Sequence, residues 1–407
     1  MSTLAHPRPR PLRRPLANPV TVFLAVVAAI GGALLAWRFV SGVGAVSHLN
    51  DGYPWGIWIA FDVVVGTALA TGGYATAILV YVLNRGKYHP LVRSAMLTSA
   101  LGYTLGAFGV VVDLGRFWNV WKIPLFISQW NTRSILLEVA LCILLYMIVL
   151  WVEVSPAFLE GWKSSRRPRL AAFATAAEPK VRKALPWVIA LGLLLPTMHQ
   201  SSLGSLMLLA GQKVHPLWST PLLPLLFLLS CVGMGYSVVV AESLLSTHAF
   251  GTRDETPMLA GLATPVVWTL FLYVWIRVID VMARGRLALV LKGDWHSFLF
   301  LFELAAFLTP MLMLLNRGRR NDPGRLFRAA VMICFAGALY RFSTFLIAYN
   351  PGHGWRYFAS FPEMMITAGL VSGEILTYVL AVNYFPILAG GPAAPRAHRR
   401  QPWARAS

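Results

Sequence analysis

The sequence predicts an all-α integral membrane protein of about ten transmembrane helices. Three observations predict it. Of the 407 residues, 57% are hydrophobic and only 13% charged, against about 25% charged in soluble domains. The apolar residues gather into runs of roughly 20, the length a bilayer core requires of a helix. The charges sit mainly in the short connections between those runs. A soluble chain of this size would build one or two compact cores, not ten separate runs.

The elements follow in order. Val20–Val40 is the first run. It is preceded by a basic, proline-rich stretch (Arg8, Arg10, Arg13, Arg14) and is longer than the apolar region of a signal peptide, so it reads as an uncleaved anchor. The next spans are Pro54–Leu83, Leu91–Asp113 and Arg133–Val154. Ser155–Leu185, rich in Arg, Ala and Pro, reads as a solvated connector. The remaining spans are Pro186–Ala210, Pro221–Ser246, Met258–Ala283, His296–Asn316, Leu326–Tyr349 and Phe361–Ile387. Spans 2–5 and 6–9 are expected to form two four-helix bundles, with the first and last spans peripheral. The chain then divides into a basic tail (1–19), first span and loop (20–51), first bundle (52–210), second bundle (211–349), last span (350–387) and a second basic tail (388–407). The order of ionisable residues in the two bundles forms a weak parallel repeat: Asp113, Glu138 and His199 are answered by Asp280, Glu303 and Arg341.

Of the 35 Lys and Arg, 24 fall in segments on the side of the N-terminus and nine on the other side. The positive-inside rule therefore places both termini in the cytoplasm. Trp55, Trp58, Trp118, Trp121, Trp130, Trp218, Trp295 and Trp355 lie near outer span ends, where an interfacial aromatic belt belongs. The outer loop Leu114–Thr132 is aromatic and apolar enough to be a packing or docking surface.

Several function classes drop out. The net charge of +19 follows the loops, and no basic stripe with interleaved aromatics marks a nucleic-acid interface. Cys142, Cys231 and Cys334 each lie in an apolar run without a CxxC. That excludes a disulfide framework, a zinc ribbon, covalent haem and an iron–sulfur cluster within this chain, and no metal site is expected. A haem held by two histidines is not expected either. Only His199 lies well inside a span, while His89, His215 and His296 sit at span ends.

Charged groups at bilayer depth are costly and mark proton routes or ligand sites. Here they are Asp62, Asp113, Glu138, His199, Glu242, Arg277, Asp280, Glu303, Arg341 and Glu374, with Glu153 and Glu363 nearer the ends. Most fall in the predicted outer half. Arg277 and Asp280, three residues apart, share a helix face and can pair. The stretch PTMHQSSLGS places His199, Gln200, Ser201, Ser202 and Ser205 within two turns. Such a polar cluster in hydrocarbon needs partners or a polar ligand.

Four stretches carry a family resemblance: GYPWGIWIAFD (Gly52–Asp62), ATGGYATA (Ala70–Ala77), VVDLGRFWNVW (Val111–Trp121) and MHQSSLGSLMLLAGQKVHPLWSTPLLPLLF (Met198–Phe227). They resemble the NrfD/PsrC superfamily, and within it the ten-span HybB-type branch of hydrogenase-2-like complexes, over roughly Gly52 to Tyr384. The resemblance implies a quinone-reactive membrane subunit of a respiratory oxidoreductase in a bacterial inner membrane, binding menaquinone or ubiquinone near the outer face. It implies a periplasmic ferredoxin-like iron–sulfur partner, and through it a catalytic subunit, a [NiFe] hydrogenase or a molybdoenzyme. Sulfur-compound or molybdopterin oxidoreductases are the alternative.

A quinone needs an apolar aromatic slot with polar groups at its carbonyls, and its reduction needs a proton donor in reach. Asp113, Glu138 and His199, on three successive spans, are the candidates for headgroup and protons. Trp55, Trp58, Asp62, Tyr103, Arg116, Gln200 and Ser201 are candidate binding residues. Glu242, Arg277, Asp280, Glu303, Arg341 and Glu374 are candidates for a proton path. A secondary transporter shares the repeat and the buried charges, but would place them at the midplane rather than mainly in one leaflet. A purely structural anchor leaves the buried charges unexplained.

Overall fold

The computed structural model describes residues 9–252 and 254–388. Arg8, Arg253 and the C-terminal basic tail beyond residue 388 lie outside them. Ten helices are long and apolar enough to cross a membrane. They are α1 (Pro19–Ser41), α2 (Trp58–Val82), α3 (Gly86–Asp113), α4 (Ile135–Lys163), α5 (Pro168–Leu209), α6 (Leu223–Phe250), α7 (Thr256–Ala283), α8 (Trp295–Leu315), α9 (Pro323–Ile347) and α10 (Phe361–Tyr384). The chain is a multi-pass membrane protein. Among the described residues no strand forms, only two isolated bridges, Asn50 with Tyr53 and Val214 with Tyr349.

Local chemistry sets the helix ends. Asn18 and Thr21 close a capping box before α1, with Pro19 at the first helical position. Asp294 and Asp322 cap α8 and α9. Ser360 and Glu363 close a second capping box at α10. Glu363 does more than cap. Its carboxylate also accepts from Tyr357 Oη at 2.7 Å and from the backbone N–H of His48 at 3.1 Å, tying three segments together.

The expected connector Ser155–Leu185 is helical instead. α4 continues to Lys163 and α5 starts at Pro168, leaving a turn of residues 164–167. The prolines at 156 and 179 point to a loop, but the surrounding Ala, Leu, Arg, Lys and Glu favour helix. Lys163 pairs with Glu178 across the hairpin, and Arg182 reaches the same carboxylate at 3.1 Å. The 42 residues of α5 measure about 63 Å, roughly twice the hydrocarbon thickness.

α2 is not a continuous α-helix. A π-turn over Trp58–Val63 leads to a short α segment, Gly66–Leu69. After a break at Ala70 and Thr71 comes Gly72–Ala77, then a second π-turn, Ile78–Val82. Such departures leave backbone groups to be satisfied by neighbours, so they require an interior position. α2 has one, packed against α3 on one side and α6 on another.

α4 and α5 form an antiparallel hairpin against α3, and α6 to α9 pack on one another. α6 also meets α2 and α5, so its face is the seam between the two groups. α1 pairs chiefly with α10, where Gly31 and Gly369 meet backbone to backbone; a Cβ at Gly31 would stand 2.6 Å from Gly369 Cα. The seam is equally tight. A Cβ at Gly235 of α6 would come within 2.6 Å of the Thr71 carbonyl oxygen at the break in α2. Thr71 Oγ1 donates there to Cys231 O at 2.8 Å. Gly235→Ala is therefore expected to destabilise by about 1–3 kcal/mol, read as a lower melting temperature in detergent. Gly373→Ala, where nothing lies within 4 Å, should leave it unchanged.

A second seam joins the loop before α6 to the end of α9. His215 N–H donates to Ala348 O at 2.7 Å and Asn350 N–H to Lys213 O at 2.6 Å. The His215 ring stacks on His296, centroids 4.2 Å apart and planes 4° apart, and its Nδ1 accepts from Leu217 N–H at 3.3 Å. Burial, and then the neighbouring His296, push the His215 imidazole down to about 4. As pH falls from about 6.5, the ordinary histidine value, toward 4, the unfolded chain takes up this proton before the folded one does. Stability is thus full above that window and lost through it. The melting temperature should fall more between pH 7 and 5 for the wild type than for His215→Asn.

Candidate functional site

The centre of the molecule holds a continuous polar network in otherwise apolar helices. Arg341 of α9 is fully buried. Its Nη2 donates to Gln200 Oε1 at 3.0 Å and Phe227 O at 2.8 Å, and its Nη1 to Ser230 Oγ at 2.7 Å. The guanidinium also lies 4.9 Å over the Phe227 ring. Gln200 of α5 passes the connection on, its Nε2 donating to Thr67 Oγ1 at 3.2 Å and Tyr103 Oη at 3.4 Å. Thr67 of α2 also contacts His199 Nε2 at 3.1 Å. Tyr103 packs edge-on against Tyr146 and His199. Six helices thus contribute to the surroundings of His199, whose Nδ1 is buried with no protein partner. One turn along α5, Ser202 donates to Glu138 at 2.7 Å.

A second group lies where α1, α2, α3 and α10 meet. Arg38, fully buried, donates from Nε to Val112 O at 2.7 Å and from Nη2 to Leu114 O at 2.5 Å. It caps the C-terminal end of α3, where carbonyls lack helical partners and the dipole favours a cation. Asp62 accepts from Thr367 at 3.0 Å. Four atoms of this group are buried without a protein partner: Arg38 Nη1, Trp58 Nε1, Asp62 Oδ1 and Asp113 Oδ1.

The expected site residues thus fall into two groups. His199, Gln200 and Tyr103 join the central network, with Glu138 beside it on Ser202; Trp58, Asp62 and Asp113 join the second. Trp55 belongs to neither, donating from Nε1 to Phe345 O at 3.0 Å. Ser201 bonds back to its own helix at Thr197 O, and Arg116 is exposed in the loop after α3.

The proton-path candidates also separate. Glu242 accepts from Thr98 at 2.8 Å and Tyr378 at 2.6 Å. Glu374 is half-buried on α10. Glu303 accepts from Trp218 Nε1 at 2.7 Å. Arg277 and Asp280 do not pair. Asp280 forms an ion pair with Arg284 at 2.6 Å and accepts from Thr220 at 2.7 Å. Arg277 instead lies 4.9 Å from the Phe300 ring centroid with both Nη atoms unpartnered. The (i, i+4) partner wins because Arg284, one turn beyond, reaches Asp280 with two parallel N–H bonds.

Sequence reasoning misses Arg38 and Thr67. Arg38 closes the first span and so counts with the outer loop cations. Its position after an unbroken apolar run is the available signal. Nothing local distinguishes Thr67 from other membrane threonines that bond their own helix.

The polysulphide reductase family NrfD matches residues 45–352 of this chain. A protein of Escherichia coli described as a probable Ni/Fe-hydrogenase 2 b-type cytochrome subunit is 40% identical over 388 residues, covering 93% of this chain and 95% of its own. The integral membrane subunit of a menaquinone reductase from Nitratidesulfovibrio vulgaris is 25% identical, covering 88% of each chain. A selenate reductase subunit of Mesobacillus selenatarsenatis is 22% identical, covering 89% of this chain and 93% of its own.

The Arg38 cap makes its own test. Arg38→Gln removes charge-assisted bonds to two helix-end carbonyls, worth about 1.5–3 kcal/mol together with their desolvation. The melting temperature should fall. Arg38→Lys should recover only part of the loss, because an ammonium lacks the fork that reaches Val112 O and Leu114 O together.

Proposed function

Because the chain belongs to the NrfD family of integral membrane proteins, we propose that it is the quinone-reactive membrane subunit of a respiratory oxidoreductase. It passes electrons between an iron–sulfur partner on the periplasmic face and menaquinone or ubiquinone in the bilayer. The observation that carries this reading is the buried network around His199, with an open ring nitrogen amid aromatic side chains and a carboxylate one turn away. Such a set meets the needs of a quinone headgroup: flat apolar walls and a few polar atoms, one of them able to move a proton.

A [NiFe] hydrogenase is the favoured catalytic partner, supported by the 40% identity to the E. coli protein. The names of the menaquinone and selenate reductase relatives support the second reading, another reductase on the same type of membrane subunit. The surface offered to the partner is the loop Leu114–Thr132, where Trp118 is 60% and Leu125 73% exposed. The inner membrane with both termini cytoplasmic is supported by the 24 Lys and Arg on the terminal side against nine opposite. Spans 2–5 (52–210) and 6–9 (211–349) serve as two four-helix units, the first carrying most of the site.

The E. coli relative's name includes "b-type cytochrome", but a haem held by two histidines does not fit this chain. Among the described residues His199 is the one fully buried histidine. His215 and His296 stack face to face at 4.2 Å, whereas two axial ligands direct ring edges at an iron lying between them.

Purification with native partners, followed by electron transfer to a soluble naphthoquinone, tests the reading. His199→Ala and Glu138→Gln are expected to lower turnover by about 10²–10⁴-fold, the usual worth of a positioned general acid or base, while the complex still assembles. Unchanged turnover in both variants, or a chain that copurifies with no redox protein and takes up a solute into vesicles, would shift the assignment to a transporter.

A further inference from the structure

The hydrogen bonds around His199 determine which of its nitrogens carries the proton. Arg341 has donors only. The atom of Gln200 that faces it at 3.0 Å must therefore be the amide oxygen. The amide nitrogen then faces α2 and donates to Thr67 Oγ1 and Tyr103 Oη. The single Thr67 hydroxyl proton is committed as well. Thr67 Oγ1 stands 2.6 Å from Val63 O, and without a proton between them that would be a close contact of two acceptors. So Thr67 Oγ1 gives its proton to Val63 and accepts from Gln200. Toward His199 Nε2, 3.1 Å away, it has only a lone pair left. His199 must donate from Nε2. In the neutral ring that leaves Nδ1 bare, an acceptor buried with no protein partner.

Leaving a buried acceptor unpaired costs about 1–3 kcal/mol, so Nδ1 calls for a donor from outside the chain. We infer that the Arg341–Gln200–Thr67 chain fixes His199 as the Nε2–H form, and that its bare Nδ1 accepts a hydrogen bond from the hydroxyl of a hydroquinone. This rests on the quinone reading above and adds a redox preference to it. A quinone carbonyl is an acceptor and gains nothing at a bare nitrogen; the reduced headgroup carries the O–H that the site lacks. Thr67 is the positioning residue. It sits in the four-residue α segment between the π-turn and the break at Ala70 and Thr71.

The test uses the full chain in lipid nanodiscs, ¹⁵N-labelled at histidine, with a short-chain naphthoquinone and its hydroquinone as probes. His199→Gln assigns the signal. The wild type is expected to hold the proton on Nε2, to shift at Nδ1 when the hydroquinone is added, and to bind the hydroquinone about tenfold more tightly than the quinone, one buried hydrogen bond. Thr67→Val should release the proton to either nitrogen and bring the affinity ratio near one. Thr67→Ser, which keeps the hydroxyl, should restore it. An unchanged ratio in Thr67→Val overturns the inference and leaves the quinone site standing. A fixed Nε2–H form whose Nδ1 signal neither probe moves overturns the ligand assignment together with the site reading. Should Thr67→Val not fold, the wild-type spectrum decides, because a proton found on Nδ1 overturns the inference directly.

Discussion

The buried guanidinium of Arg341 is the constraint from which the interior is organised. A cation at that depth is tolerated only where polar partners meet its charge. Among the described residues no carboxylate bonds it. The charge is met by neutral acceptors: an amide oxygen, a hydroxyl, a carbonyl and the face of an aromatic ring. These acceptors belong to α5 and α6, so one side chain of α9 ties the second group of helices to the first. Gln200 cannot rotate without costing the cation one of its acceptors, and Thr67 and Tyr103 depend on that orientation. A polar network in a low-dielectric interior is costly when its members lose partners, so it specifies the one arrangement that keeps them.

The same logic explains the irregular helix. α2 supplies Thr67, Trp58 and Asp62, yet it has two π-turns and a break. In hydrocarbon such backbone would strand its polar groups. It is possible here because most of α2 is buried by protein. The glycine contacts at the seam with α6 let that helix approach closely enough to share hydrogen bonds, as Thr71 does with Cys231 O.

Much of this was legible in the sequence for one physical reason. Hydrocarbon imposes a length and a polarity on every span, so the ten runs and the buried charges stand out against it. The limit came wherever the outcome depends on helix rotation. Arg277 and Asp280 share a face in projection, but the side chain of Arg284, one turn further on, leans back toward Asp280 and takes the carboxylate. Arg38 looks like a loop cation because sequence cannot show that α1 turns it toward the end of α3. Ser155–Leu185 looks like a loop because its prolines outweigh its alanines, and only the pairing of Lys163 with Glu178 reveals the hairpin that carries them. Asp113 and Glu138 illustrate the remainder: adjacent spans bring them to the same half of the protein, yet one faces the end of α1 and the other Ser202.

The two polar groups then have different physical characters, and this bears on their roles. The central group leaves two buried atoms without a protein partner, the acceptor His199 Nδ1 and the donor Arg341 Nε. The group at α1, α2, α3 and α10 has two donors and two carboxylate oxygens open. It lies against the start of the aromatic loop, next to Phe117, which Arg38 touches at 5.4 Å. In the central group it is the acceptor, His199 Nδ1, on which the proposed preference for a reduced headgroup rests. The second group offers donors and acceptors together and so carries no such preference.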